Sequence, residues 1–204
     1  LCTFLLTSLF VVKDSYDQYR INAAKSFYGD YDVKYTTFAY IQNKEYTDTY
    51  LDSLSYETPL PYMYKGTFDS LVSTTNFSVY PIRLIEGKYP KSNEVLIHKK
   101  YQNKYRVQDT IKLYSDQDLK EYKISGVYEN LNNQLINYSF YTSTHSKKDA
   151  MYVYANLKDK SAIATLPVQD YELNSDMVLA KYHLNVEYEN IFKFLILFMS
   201  VCCF

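Results

Sequence analysis

The side chains best suited to chemistry are few in this chain and stand apart. Of the three histidines, His98, His145 and His183, none lies four residues from another with a glutamate between, the helical spacing that builds a zinc site. Gly29, Gly66, Gly87 and Gly126 are too scattered to form a loop whose amides cradle phosphate. Asp116 and Asp118 alternate as calcium ligands do, but the loop's glycine and closing glutamate are missing, so a turn between strands is expected there. Cys2, Cys202 and Cys203 all sit in the apolar ends, which leaves the polar middle without a disulfide or a cysteine metal site. Asn76-Phe77-Ser78 and Asn137-Tyr138-Ser139 have the form of glycosylation acceptors and matter only in a eukaryotic secretory route. The expectation is no catalytic residue, no cofactor and no metal, and a chain that binds neither ATP nor zinc.

With no reacting group to position, the elements themselves carry the reading. A net charge of −1 over 204 residues lacks the basic footprint of a nucleic-acid binder. A hydrophobic content of 47% is enough for a folded core. Tyrosine is the oddity, with 25 against 4 glycines and no tryptophan. The AT-rich genome expected of its bacterial source accounts for most of it; the functional alternative is an aromatic surface for amphipathic ligands.

Leu1–Val12 and Phe194–Phe204 carry no charge. A helix crossing a bilayer needs about 20 apolar residues, and both runs stop where the sequence stops. They are expected to be two truncated transmembrane helices around one extracytoplasmic region, residues 29–190. Beyond Val12, Tyr16, Tyr19, Ala23 and Phe27 recur at spacings of three and four, up to Gly29-Asp30. This predicts a helix over Leu1–Tyr28, rising roughly 40 Å as a stalk, with that stripe packed on the segment near Leu179–Val186.

Further on, Tyr31–Tyr40 reads as a strand, Glu45–Leu54 as an amphipathic helix broken by Pro59 and Pro61, and Tyr62–Phe68 and Ser78–Leu84 as strands. Short strands are expected at Glu94–His98, Thr110–Tyr114, Glu121–Tyr128 and Met151–Asn156, with one or two helical turns in Lys99–Tyr105. Glu129–Asp149 reads as loop, Asp159–Thr165 as a short helix ended by Pro167, and Asp176–Tyr182 as a helix capped by Ser175.

Several segments taken in order resemble one family. Leu84-Ile85-Glu86-Gly87-Lys88-Tyr89-Pro90, continuing to Glu94-Val95-Leu96-Ile97, resembles the "L-x-G-R/K-Y-P" segment of FtsX-like permeases, which belong to the MacB-type ABC transporters. Gln108-Asp109-Thr110-Ile111-Lys112-Leu113 is similar to their "G-D-T-I-x-L" strand, and Tyr122-Lys123-Ile124-Ser125-Gly126-Val127 to their "Y-K-I-x-G-I" strand. Gly29-Asp30-Tyr31-Asp32-Val33 is similar to their strand after the first membrane helix. Gln108 departs from the family's glycine: either the turn differs or Gln108 bears a strain of about 1–2 kcal/mol.

The resemblance implies an α+β fold, a MacB-like periplasmic core domain. Residues 1–28 would be the first membrane helix and stalk, 29–58 and 150–190 a porter-like subdomain, 59–149 an inserted β-rich subdomain, and 191–204 the start of the second membrane helix. The strands near Val33 and Val153 are expected together in a sheet other than that of Tyr62–Tyr128. It also implies partners: a separate cytoplasmic ABC ATPase subunit, membrane lipids and a second permease in a homodimer or pair. ATP hydrolysis would move the stalk through Tyr16, Tyr19, Ala23 and Phe27, and so work on lipid, peptide or protein outside the cell membrane. The alternative with the same plan is the ligand-sensing domain of a two-helix receptor; a membrane-anchored hydrolase is opposed by the lack of a nucleophile–base pair.

Overall fold

The structure, a computed structural model, describes residues 2–42, 44–64, 67–114, 119–132, 138–144, 149–166, 171–182 and 186–202. Gly66, the turn expected at Asp116–Asp118, Asn137, His145, Pro167, His183 and Cys203 lie outside the described residues. Helix α1 (Cys2–Tyr28) leads to strand β1 (Val33–Thr36), helices α2 (Thr37–Gln42) and α3 (Lys44–Tyr50), and the long strand β2 (Leu51–Tyr64). Strands β3 (Thr67–Thr74), β4 (Ile82–Gly87), β5 (Glu94–His98), β6 (Thr110–Tyr114), β7 (Leu119–Asn130) and β8 (Phe140–Ser143) follow. Then come β9 (Tyr152–Leu157), α4 (Ser161–Ala164), β10 (Tyr171–Leu173), α5 (Ser175–Lys181) and α6 (Val186–Cys202).

Ten strands make one mixed sheet in the order β10-β1-β9-β2-β3-β8-β5-β7-β4, with β6 bonded to both β7 and β2. The fold is α+β. Because β6 joins β7 back to β2, the circuit β2-β3-β8-β5-β7-β6 closes on itself, which removes the exposed edges an open sheet would leave. Leu71, Ile97, Ile111, Leu113, Ile124 and Phe140 form one buried cluster within these strands. The period-two alternation of β6, with Ile111 and Leu113 buried between exposed neighbours, is the sequence signal for that arrangement. A second cluster joins Val33 and Tyr35 of β1 and Ala155 and Leu157 of β9 to Ala39 of α2 and Ala162 of α4.

Strands β1 and β9 pair directly, Tyr35 opposite Val153, so those two segments do share a sheet. That sheet is not separate from the rest, contrary to expectation. Strand β2 pairs with β9 over Leu51–Glu57 and with β3 over Glu57–Tyr64, and so belongs to both halves. Its length overrides the expected proline break. Tyr56 accepts from the Thr75 amide, so even-numbered residues of β2 turn their backbone groups toward β3. Pro59 and Pro61 therefore present their nitrogens to the opposite side, where β9 pairing has already ended, and no ladder bond is lost.

Other boundaries also shift. The expected strand Tyr31–Tyr40 is only Val33–Thr36, after which α2 begins; the expected helix Glu45–Leu54 ends at Tyr50; and Tyr62–Phe68 falls across the end of β2 and the start of β3. β8 lies inside the expected loop, and the cap of α5 is Asn174, not Ser175. Gln108 does bear the strain, at φ +83°. Its backbone is held there by a bond from its amide to the Ile124 carbonyl, 2.9 Å, and by the Asp109 turn.

Among the described residues no helix is both long and apolar enough to cross a membrane. Helix α1 has 27 residues but is charged from Lys13 onward, and α6 has 17. The outer ends of these two adjacent helices are nevertheless greasy. Phe4, Phe10, Val11 and Val12 on α1, and Phe194, Leu197, Phe198 and Val201 on α6, are all exposed.

Candidate functional site

The stalk meets the sheet at a joint built from residues far apart in sequence. Gly29 ends α1 at φ +87°, and a β-carbon there would lie 2.1 Å from the Val79 carbonyl oxygen, so only glycine can make the corner. Asn174 then ties the corner to α5. Its side-chain amide donates to the carbonyls of Tyr28 (3.1 Å) and Tyr31 (3.0 Å), while its oxygen accepts from the Met177 amide and caps α5. Beside it, the fully buried Asp32 carboxylate accepts from Lys181 Nζ (2.7 Å), the Leu157 amide (2.8 Å) and the Tyr182 hydroxyl (3.0 Å). Burial, then the Asp32 charge, holds the Tyr182 hydroxyl above the usual tyrosine range. Helix α5 starts at the end of α1 and packs back along it through Met177 and Ala180 against Ala24, Ile21 and Tyr28.

The expected neighbour of the stalk is thus correct in its α5 part, but the expected face is not. Tyr16, Tyr19 and Phe27 are exposed, Tyr19 at 68%, and Ala23 is exposed with them. The buried stripe runs one residue further round, through Asp17, Ile21, Ala24 and Tyr28. Close approach of α5 needs a small residue at the crossing. In the pair Ala23-Ala24 it is the second that supplies it, and the aromatic stripe is left outward. Asp17 is held by Lys13 one turn earlier, 2.7 Å away.

A second polar centre lies across the sheet. Glu57, midway along β2, has no exposed surface. Its carboxylate accepts hydrogen bonds from Tyr80 (2.5 Å), Tyr154 (2.6 Å) and Tyr138 (2.9 Å). None of the ion pairs among the described residues involves it. Burial first, and the Glu57 charge next, raise the Tyr80, Tyr138 and Tyr154 hydroxyls far above the ordinary tyrosine value. Tyr31, which meets Tyr154 edge to face at 4.9 Å, is pushed up to about 12, by burial and then by Glu172 and Glu57. These rings border a cavity of about 100 Å³ whose rim includes Tyr28, Lys34 and Glu172. Nothing in the arrangement pairs a nucleophile with a base, and among the described residues no group of histidine, cysteine and carboxylate side chains could hold a metal.

Two of the three glycines quoted in the sequence resemblance, Gly87 and Gly126, touch. Gly87 of β4 pairs with Gly126 of β7, and a β-carbon on either would meet the other strand's backbone, at 2.2 Å from Ser125 O or 2.6 Å from Glu86 O. Gly87 also has φ +82°.

No protein-family model matches the chain, and no curated protein does. Solved structures are similar to it, among them the following two. One is a domain of a protein named as a permease from Porphyromonas gingivalis, with 12% identity, a TM-score of 0.40, and a match over 57% of this chain and 61% of that one. The other is the extracellular domain of the noncanonic ABC-type transporter YknZ from Gram-positive bacteria, with 12% identity, a TM-score of 0.42, and a match over 65% of this chain and 78% of that one. This chain thus spans less than two thirds of the first neighbour's length.

Sequence reasoning missed Glu57, Asp32 and Asn174. Asn174 carried a usable signal, being a good cap just before the expected helix. Glu57 carried none, because its tyrosine partners lie 23, 81 and 97 residues away.

Proposed function

We propose that this chain is the extracytoplasmic domain, with its two flanking helices, of an FtsX-like ABC transporter permease. The observation that carries the reading is a pair of adjacent helices, α1 and α6, joined to one α+β domain and exposing apolar side chains along their outer ends. Water disfavours such surfaces and lipid or a partner accepts them. The facing Gly87 of β4 and Gly126 of β7 supply a steric reason for two of the glycines quoted in the resemblance. The subdomains at 29–58 with 150–190 and at 59–149 then correspond to the β1–β9–β10 end and the closed circuit of strands. A cytoplasmic ATPase subunit supplies the energy, a second permease completes the pair, and lipids surround the helix ends. Work passes along α1, whose Tyr16, Tyr19, Ala23 and Phe27 are exposed on its outer face and would meet a moving neighbour there.

Topology tests this. With the native cysteines replaced, single cysteines at the exposed positions Lys91 and Lys158 are expected to react with a membrane-impermeant thiol reagent on intact cells. Reaction only after lysis would place the domain in the cytoplasm and end the permease reading. The cavity beside Glu57 favours the second reading, a ligand-sensing receptor domain. Co-purification with an ABC ATPase separates the two.

A further inference from the structure

We propose that the cavity bordered by Tyr31, Tyr80, Tyr138 and Tyr154 is a binding site for a small organic cation, an alkylammonium or quaternary ammonium group. The walls are aromatic, and the faces of such rings attract cations. One wall is already used so: Lys34 Nζ lies 5.4 Å from the centre of the Tyr154 ring, and 4.4 Å from that of Tyr152, which lies outside the cavity lining. Behind the walls is Glu57, buried and reached only by hydroxyl donors among the described residues. A buried carboxylate without a cation is costly, and a cation against the Tyr80, Tyr138 and Tyr154 rings would offset that cost at short range. Glu172 at the rim adds a second negative charge, and Lys34, 3.9 Å from Glu172, adds one positive charge. The sum of these three charges is −1.

The size fits. One water needs about 10–15 Å³ of such space, so about 100 Å³ accepts several waters or one compact organic group. A free solute is the source, not a lipid head. The cavity touches Tyr28, 16 residues beyond Val12 and thus roughly 24 Å along the helix from the apolar run. This choice of source, unlike the site, rests on the membrane reading above.

The test is calorimetric titration of the full chain, in a neutral maltoside detergent, with choline chloride, tetramethylammonium chloride and the uncharged choline isostere 3,3-dimethylbutanol. Saturable binding of both cations is expected, at least about tenfold tighter than the isostere. Glu57→Gln should weaken choline by about tenfold or more. If Glu57→Gln does not fold, the rim variants decide. Lys34→Met removes a tethered competitor and should tighten choline several-fold, and the exposed Glu172→Gln should weaken it. Equal affinity for the isostere, weakening by Lys34→Met, or no saturation by either cation would overturn the proposal. Phosphatidylcholine in the micelle should not displace choline; displacement would overturn the choice of a free solute. Failure of the topology experiment would leave the site standing, so the two readings fail separately.

Discussion

The Glu57 centre makes the protein's stability depend on alkaline pH in a definite direction. Tyrosine in an unfolded chain titrates near 10. In the fold Tyr31 is raised to about 12 by burial, then by Glu172 and Glu57, and Tyr80, Tyr138 and Tyr154 are raised well above the usual value by burial and then by Glu57. The folded state therefore holds protons that the unfolded state has released. Stability is complete below about pH 10 and falls as pH rises toward the folded values, by about 1.4 kcal/mol per pH unit for each such proton. Urea midpoints across this range should drop while tyrosinate absorbance lags behind that of free tyrosine. Midpoints that stay level while all tyrosines titrate normally would contradict the buried network.

Gln108 offers a second measurement at the same scale. Its φ of +83° suits glycine, and relief of that strain outweighs glycine's greater freedom in the unfolded chain. Gln108→Gly is expected to stabilise by about 0.5–1 kcal/mol, read from the urea midpoint. This strain was half legible in sequence, since Gln108 stands where similar segments have glycine. Glu57 was not legible, for its residue type says nothing about three hydroxyls gathered from distant strands.

Between elements, the decisive contact is the seam of α1, α5 and β1. Asn174→Asp separates its two roles. The carboxylate can still cap the Met177 amide, but it cannot donate to the Tyr28 and Tyr31 carbonyls. Loss of about 1–3 kcal/mol is expected, with hydrogen exchange accelerating at the end of α1 before it does in β5 or β7. Uniform acceleration would mean the joint has no local role. Element types were read well in β6, whose side chains alternate, and in β5, a short apolar run; the expected bounds of both match the structure to the residue. They were misread where tertiary pairing outvotes local chemistry. The prolines of β2 look like breakers until the missing β9 partner explains them, and the Tyr16 stripe looks buried until Ala24 turns out to face α5.

For the whole molecule, the question is whether α1 moves as a rod. A proline inside a helix costs about 3 kcal/mol and kinks it. Ala23 is exposed, so Ala23→Pro breaks the rod with little direct harm to packing. If the proposed permease reading holds, this variant in the full complex should keep ATPase activity and lose export, while the domain beyond Gly29 stays folded by circular dichroism. Export that survives alongside a demonstrated kink would make the stalk a tether.

The order of strands also sets a schedule for synthesis. Strand β1 sits between β9 and β10, both made long after it. Its first partner, β9, leaves the ribosome roughly 120 residues later, a wait of roughly 6–24 s at ordinary elongation rates. Until then the corner at Gly29 has neither Asn174 nor Lys181 to hold it. A nascent chain can therefore finish the β2–β3 hairpin while α1 is tied to the sheet only through Asp30 and Ser78, and any product truncated before Tyr152 would never gain the remaining ties.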